Sequence, residues 1–274
     1  MDYEPISRLT KDVANASKSL SDDEARFLVD AYYMMQEQRI RTSAQVRSLS
    51  ESEEPHDTLR WLASQSETLE GQVKRALTRY VENRGPACAW CYSQIGIGPV
   101  ITAGLFAHLD INKAPAAGHF WNFAGLNPSV VWKKGEKRPW NASLKTLCWK
   151  IGESFVKVSR NENAYYGRAY VERKALEIAR NESGELKSAA VAALAAKSYK
   201  RETTAKACYE SGKLPPAHIH ARAKRWVVKL FLSHLHAVWM WEELHKQAPE
   251  PYAIAHLGHV HLLEPPNWSR SSAA

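Results

Sequence analysis

Two cysteines have the spacing of metal ligands. Cys88 and Cys91 are three positions apart, as in one half of a zinc knuckle or in a redox pair. The other half of a zinc site could come from His218 and His220, or from His256, His259 and His261. The two cysteines fall on one face of a short predicted helix, however, where a free cysteine commonly packs as a small apolar residue. We favour core packing over metal binding and predict no cofactor.

A histidine cluster, His256, His259 and His261, lies in a Pro- and His-rich segment near the C-terminus. Imidazole suits zinc, copper and nickel, but no carboxylate or thiolate directly adjoins these residues. His234 and His236 fall along an amphipathic helix, and we expect them to mark its polar face. We predict no metal site at either place.

The residues Gly96, Ile97, Gly98 and Pro99 have the pattern of a turn between two short helices. Glycine supplies φ values that other residues resist, and proline fits the first turn of a helix, where no N–H is needed. In such a helix-hairpin-helix, the second helix would present its free amides to a backbone phosphate, with Thr102 close by. The pattern predicts a nucleic-acid contact that reads no sequence. A tight turn in an ordinary helical domain would use the same residues.

Positive charge is concentrated in the second part of the chain. The 274 residues carry 37 Lys and Arg against 29 Asp and Glu, a formal net charge of +8. Residues 1–80 have a net charge of −3, whereas residues 81–274 have +11. Eight basic residues and two acidic ones lie between 132 and 160. This distribution indicates an acidic partner for the second part, although a solvated basic surface would have the same composition.

The densest basic stretch surrounds two tryptophans in a predicted loop. Tryptophan can stack on a base, and lysine and arginine can neutralise phosphates, so we predict that this loop contacts nucleic acid. We expect both tryptophans to be partly exposed. The predicted contact residues are Trp132, Lys133, Lys134, Lys137, Arg138, Trp140 and Lys145.

The C-terminal amphipathic helix supplies a third predicted contact. Arg222, Arg225 and Lys229 are spaced by three and four residues, so they share one face of this helix. The apolar residues lie toward another face. One side of the helix is therefore expected to pack and the other to meet phosphate.

These segments resemble a known family. The string Gly-Ile-Gly-Pro-Val at 96–100, the alternating small and apolar residues to 109 and the string Phe-Ala-Gly-Leu-Asn-Pro at 123–128 are similar to the C-terminal domain of insertion-sequence transposases that work with a bridge RNA. The basic block at 221–225 and its continuation at 228–231 resemble that domain's closing helix more loosely. The resemblance implies a helix-hairpin-helix fold, a nucleophilic serine and an N-terminal RuvC-like domain.

Both catalytic parts of that family are missing from this sequence. Where the resemblance places the serine, just before a glycine, the chain has Lys133, Lys134 and Gly135. Ser129 and Ser143 are near but do not fit the position. The first 80 residues are too short and too helical for a domain that presents four carboxylates to two Mg²⁺ ions. The resemblance therefore implies a scaffold that holds nucleic acid without cutting it.

The hydrophobic pattern predicts a mainly α protein in three parts. Residues 1–83 form an antiparallel helical hairpin, with a polar arm at 1–19 that we expect to be frayed, a helix that begins at a Ser21–Glu24 capping box, and a heptad-patterned helix. The hairpin packs within the chain or serves as an arm for homo-oligomers. Residues 84–248 form the helix-hairpin-helix domain, with an Ala- and Lys-rich insertion at 181–213 in which 185–208 is one helix. Residues 249–274 are a coil tail.

The sequence excludes several classes of protein. No apolar run approaches the roughly 20 residues that a membrane span needs, and the N-terminus has no signal-peptide pattern. Four cysteines are too few for a disulfide framework. We therefore expect a cytoplasmic protein with free thiols and no membrane contact.

We predict a DNA-binding protein of a phage or other mobile element, which could also bind structured RNA and which does no catalysis of its own. One alternative is a truncated or rewired recombinase that acts with another subunit, or through Ser129 or Ser143. A second alternative is a mobile-element protein that binds an acidic protein through the same basic surface.

Overall fold

A computed structural model describes residues 6–51, 54, 56–196, 198–249 and 263–269. The described residues form α-helices and two short 3₁₀ helices and contain no strand, so the predicted mainly α class is confirmed. The helices are α1 (Lys11–Ala16), α2 (Asp22–Ser50), α3 (Asp57–Glu82), α4 (Pro86–Ser93), α5 (Pro99–His108), α6 (Ala117–Phe123), α7 (Ala142–Lys157), α8 (Tyr165–Glu182), α9 (Lys187–Ala195), α10 (Thr204–Glu210) and α11 (Pro216–Leu244).

Helix α2 begins at the predicted capping box. The Ser21 hydroxyl accepts a hydrogen bond from the Glu24 amide at 3.3 Å, and the Glu24 carboxylate accepts one from the Ser21 amide at 2.8 Å. Asp22 and Asp23 add negative charge at the positive end of the helix dipole. The sequence therefore defines this helix start through local hydrogen bonds and charge alone.

Helices α2 and α3 pack side by side in opposite directions. Near the start of α2, Asp22 accepts a hydrogen bond from Tyr80 at 2.9 Å, and further along Arg39 pairs with Glu70 at 2.6 Å. The first part of α2 and the last part of α3 belong to the same core as the helices that follow. Val29 of α2, for example, lies against Gly104 of α5.

The segment before α2 is more ordered than expected for the described residues. The backbone amides of Ile6 and Leu9 donate to the side chains of Gln65 and Gln72 on α3, at 3.0 and 3.1 Å. The Thr10 hydroxyl caps α1. The prediction of a frayed arm is therefore wrong for residues 6–19, because side chains of α3 satisfy its backbone amides.

Helix α11 runs through the main core. Phe231 on α11 packs against Phe155 of α7 and Tyr166 of α8, with ring centroids 5.5 and 5.1 Å apart. Two glycines bring the helices close: Gly152 faces α11, and Gly167 on α8 lies against the backbone of residues 158 and 159. Helix α7 is thus held between α11 and α8, and its solvent side carries the residues of the candidate site.

The Ala- and Lys-rich segment differs from its prediction. The single helix predicted at 185–208 is two helices, α9 and α10, because Thr203 caps a new helix by accepting from the Lys206 amide. The segment has a small core of its own, formed by Leu186 and Ala190 with Leu214 and Ile219.

Part of the predicted coil tail packs on the helices. The Trp90 indole N–H donates to the carbonyl of Pro266 at 2.9 Å, and the Trp268 indole N–H donates to Glu242 at 2.9 Å. The cluster of His256, His259 and His261 lies outside the described residues. Among the described helices, none is long and apolar enough to cross a membrane.

Candidate nucleic-acid interface

The predicted contact loop, residues 133–145, lies mostly in an observed loop of residues 124–141 that is closed at its base, and its last residues begin α7. The amide of Asn141 donates to the carbonyl of Phe123 at 2.9 Å, so the two ends of the loop lie together. Gly125 adopts φ +63°, in the left-handed region, and the Trp140 ring lies so close that a Cβ on Gly125 would approach it to 2.8 Å. Asn141 then caps α7 by accepting from the Leu144 amide at 2.8 Å. The loop therefore leaves the core from a fixed base.

The two tryptophans of the loop contact each other. The Trp132 and Trp140 rings meet edge to face with centroids 6.2 Å apart, and the Trp132 indole N–H donates to the carbonyl of Glu136 at 2.8 Å. Both side chains are half-buried, so the predicted partial exposure is confirmed. The four basic residues between the tryptophans, Lys133, Lys134, Lys137 and Arg138, are exposed.

Each of these tryptophans lies beside a cation. The Lys145 ammonium is 3.9 Å from the centroid of Trp140, and the Arg138 guanidinium is 5.4 Å from that of Trp132. Such contacts are attractive because the cation faces the negative side of the ring. They hold two long, flexible side chains at defined places on the surface.

Helix α11 brings more positive charge to the same place. Partial desolvation lowers the pKa of Lys145, and the positive charges of Arg138 and Arg225 lower it further. Burial likewise lowers the pKa of Lys229, with Arg225 adding to the effect. Contacts between the two helices show the same closeness, because the Lys224 ammonium on α11 lies 5.8 Å from the centroid of Trp149 on α7. The loop, the start of α7 and one face of α11 therefore form one positively charged surface.

We call this the basic-aromatic surface. Among the described residues, none of its seven cations forms an ion pair with a carboxylate. Other cations of the described residues, such as Arg39, Arg173 and Arg222, do have such a partner, so the charge of this surface is not neutralised in that way. The surface consists of Trp132, Lys133, Lys134, Lys137, Arg138, Trp140, Lys145, Arg225 and Lys229.

Arg222, also predicted to contact nucleic acid, has a different environment. Its guanidinium lies 2.7 Å from the carboxylate of Glu177, whose side chain is only 1% exposed and which Arg173 also contacts. Burial raises the pKa of Glu177, but the hydrogen bond from Arg222 and the charge of Arg173 lower it overall. Arg222 therefore neutralises a buried charge between α8 and α11, and we leave it out of the surface.

The predicted hairpin turn lies apart from the basic-aromatic surface. Ile97, Pro99 and Thr102 are buried, and the Thr102 hydroxyl donates to the Gly98 carbonyl at 3.1 Å. Gly96, at φ +98°, packs against Phe155 and Val158 near the end of α7. Lys145 lies near the start of α7, ten residues before Phe155 and therefore roughly 15 Å away along the helix axis. Among the predicted turn contacts only Gly96 and Gly98 are partly exposed, and they are not part of the basic-aromatic surface.

Trp149 is a surface residue that the sequence analysis missed. Its side chain is 59% exposed on α7, one turn after Lys145, and the Lys224 ammonium lies 5.8 Å from its ring centroid. Its exposure could have been predicted from the helical period, because the buried Leu144 and Ile151 lie on the opposite face of α7. Trp149 therefore extends the basic-aromatic surface along α7.

The predicted core packing of Cys88 and Cys91 is confirmed. Both are buried free thiols, and burial raises the pKa of Cys88 to about 12. Across the described part of the chain, no group of three or more His, Cys, Asp or Glu residues could hold a metal ion.

The prediction that His234 and His236 mark a polar face is wrong, because both side chains are buried. The ring of His234 is 2.9 Å from the Tyr166 hydroxyl and donates through Nε2 to the carbonyl of Leu263 at 2.8 Å. His236 donates to the carbonyl of Ala114 at 2.7 Å. Both nitrogens of His234 and the Nε2 of His236 therefore have partners in the core.

A cleft of about 260 Å³ lies between α2, α5 and α7. Asp30, His108, Ser143 and Lys150 are among its lining residues. The arrangement contains a hydroxyl, an imidazole and a carboxylate, which are the groups of acid and base chemistry. Ser143 is exposed, as is Ser129 in the loop, where the Ser129 amide donates to the Asn127 side chain at 2.9 Å.

Comparison of the chain with protein-family models, with curated proteins and with solved structures found no match.

Proposed function

We propose that this protein binds nucleic acid non-covalently, DNA in the first place, through the basic-aromatic surface. The observation that carries the proposal is the cluster in which Lys145 lies 3.9 Å from the Trp140 centroid and Arg138 lies 5.4 Å from that of Trp132, while the two rings contact each other. Neither cation has a carboxylate partner among the described residues. A phosphate would relieve their mutual repulsion. Structured RNA has the same backbone charge and is the second nucleic acid to test.

The distribution of charge supports the same surface. Residues 1–80 are net negative, and the excess of positive charge lies in the part of the chain that forms the loop, α7 and α11. Binding that depends on phosphates falls steeply with salt, because each neutralised phosphate releases condensed counterions. Phosphate contacts position a protein on nucleic acid without reading its bases.

The resemblance to bridge-RNA transposases suggests the biological setting, a phage or other mobile element. Lys133 and Lys134 stand where that family would have its nucleophile. A lysine pair can hold a phosphodiester but supplies no hydroxyl to attack it. The proposed role is therefore to hold nucleic acid for a partner or for packaging, rather than to cut it.

The test is the salt dependence of binding to a short duplex. Lys133, Lys134, Lys137 and Arg138 are changed together to Glu, and the matched control changes Lys11, Lys18, Arg47 and Lys74 to Glu. Both variants alter the net charge equally, but the control residues are exposed on α1, its following turn, α2 and α3. We expect the loop variant to lose at least about 100-fold in affinity and its salt slope to fall by about 3 to 4.

Equal loss in both variants would indicate a long-range charge effect without a defined site. An unchanged loop variant would contradict the proposal. Binding to an acidic protein that survives nuclease treatment, in a preparation that binds neither a duplex nor a single strand, would favour the interaction-protein alternative.

A second candidate function is catalysis at Ser143. The observation that favours it is the cleft that Ser143 lines with His108 and Asp30. In this case the purified protein would nick supercoiled DNA in the presence of Mg²⁺, and Ser143→Ala would abolish the nick while Ser129→Ala would not. Absence of any nick or covalent adduct would remove this candidate.

A further inference from the structure

The most exposed indole on the proposed surface is that of Trp149. At 59% exposure it contributes little to the core, and it lies on the solvent side of α7. The other exposed tryptophan of the described residues, Trp61 on α3, is 42% exposed and belongs to the N-terminal helices. Trp149 thus presents a large aromatic face beside positive charge, and Trp61 offers a comparison outside that surface.

Positive charges flank the Trp149 ring. Lys145 lies one helical turn before it, and the Lys224 ammonium is 5.8 Å from its centroid. Lys224 is itself held by an ion pair with Glu153 on α7. A phosphate that is bound at Lys145 would therefore place the neighbouring nucleotide close to the indole.

The same pairing of cation and indole recurs across the surface. Arg138 lies over Trp132, Lys145 over Trp140, and Lys229 over Trp121, at 5.4, 3.9 and 5.1 Å from the ring centroids. Cations that can bind phosphates and rings that can stack on bases therefore alternate from the loop to α11. Proteins that bind single strands combine these two features, because the backbone follows the cations while the bases stack on the rings.

The exposed indole distinguishes single strands from duplexes. In a duplex the base faces are stacked on one another, and only the base edges are open in the grooves. Lysines and arginines attract both forms, but an indole can stack only on a base that has left its pair. Trp149 would therefore add affinity for a single strand and almost none for a duplex.

We infer that the basic-aromatic surface binds single-stranded nucleic acid in preference to duplex, and that Trp149 stacks on an unpaired base. The inference rests on the proposed function and specifies its substrate. Trp149 causes the preference for a single strand over a duplex, while Lys145 and Arg225 attract the phosphates.

Fluorescence anisotropy of a labelled single strand of about 20 nucleotides, and of the duplex of the same sequence, tests the inference. Trp149→Ala should weaken binding of the single strand about tenfold and change duplex binding less than about twofold. Trp149→Phe should recover most of the lost affinity because a phenyl ring also stacks. Trp61→Ala is the matched control and should change neither. Because Trp149 is exposed, circular dichroism should show that all variants keep their helical content.

The outcomes separate the two proposals. If the wild type binds neither nucleic acid, both the proposed function and this inference fail. If the wild type binds, but Trp149→Ala leaves single-strand affinity unchanged or weakens both forms equally, the inference fails and the proposed function stands.

Discussion

The ammonium of Lys145 lies 3.9 Å from the centroid of the Trp140 indole, which in turn packs against Gly125. This contact joins the start of α7 to the base of the loop that carries the basic residues. The position of the loop therefore depends on a glycine that is not itself charged. The basic-aromatic surface is a property of the packing at the loop base as well as of the charges above it.

Substitution of Gly125 should displace this loop. Gly125→Ala combines a left-handed backbone with a clash against Trp140, and overpacking of this kind costs about 1 to 3 kcal/mol. Gly135→Ala is the matched control, because Gly135 also has a positive φ, +98°, but its Cβ would meet nothing within 4 Å. Urea unfolding should show the larger loss of stability for Gly125→Ala, accompanied by weaker nucleic-acid binding. Equal losses of stability would contradict the packing of Trp140 on Gly125.

The close approach of α8 to the end of α7 should require Gly167. A Cβ at Gly167 would lie 2.9 Å from the Ser159 Cα, a backbone atom that cannot rotate away. We expect Gly167→Ala to lower the free energy of unfolding by about 2 kcal/mol. Gly71→Ala, in an open position on α3, should instead raise it by up to about 1 kcal/mol. Thermal or urea unfolding measures both, and a stabilised Gly167→Ala variant would show that the two helices are further apart.

Arg222 and Arg225 should separate stability from binding. Arg222→Ala leaves the buried Glu177 with one partner fewer and should cost about 2 to 3 kcal/mol of folding stability. Arg225→Ala removes an exposed charge, so we expect little loss of stability but weaker binding to nucleic acid. Urea unfolding and anisotropy on the same two variants provide the comparison. A loss of stability in Arg225→Ala together with a loss of binding in Arg222→Ala would contradict the roles that we assign to the two arginines.

Acid should destabilise the fold through His234. Burial lowers the pKa of this ring to about 4, below its ordinary value of 6.5, although the hydrogen bond to Leu263 opposes the shift. The unfolded chain therefore takes up a proton near pH 6.5 that the folded chain does not accept until about pH 4. The contribution is fully present above pH 6.5 and is lost as the pH falls to 4, up to about 3 kcal/mol.

Replacement of this ring should flatten the pH profile. His234→Gln keeps a donor for Leu263 but cannot take up a proton in this range, so its stability should fall less between pH 6.5 and 4 than that of the wild type. His119→Gln, at an exposed position, is the matched control. Urea unfolding at several pH values measures both slopes, and identical slopes in all three proteins would rule out His234 as the source.

Features with a local cause could be predicted from the sequence. The capping box at Ser21, the break before Pro86 and the start of α5 at Pro99 depend on neighbouring residues alone. The half-buried state of Trp132 and Trp140 followed from the charges around them. Thr203 shows the limit, since its cap divides a segment whose alanines favour a continuous helix.

The grouping of distant residues could not be predicted. His234 is buried because Tyr166 and Leu263, far apart in the chain, satisfy its two nitrogens. Arg222 and Arg225 share a helix face by spacing, but only the packing of α8 gives Arg222 a buried carboxylate as its partner. Periodicity shows which residues share a face of a helix and leaves open what that face meets.

The most direct test of the proposed surface is a lysine footprint. Lysines are acylated with and without a saturating single strand, and mass spectrometry reads the modification of each residue. Lys133, Lys134, Lys137 and Lys145 should become protected, whereas Lys11, Lys18 and Lys74 should react equally in both samples. Protection of the α1 to α3 lysines, with the loop lysines still reactive, would contradict binding at the basic-aromatic surface.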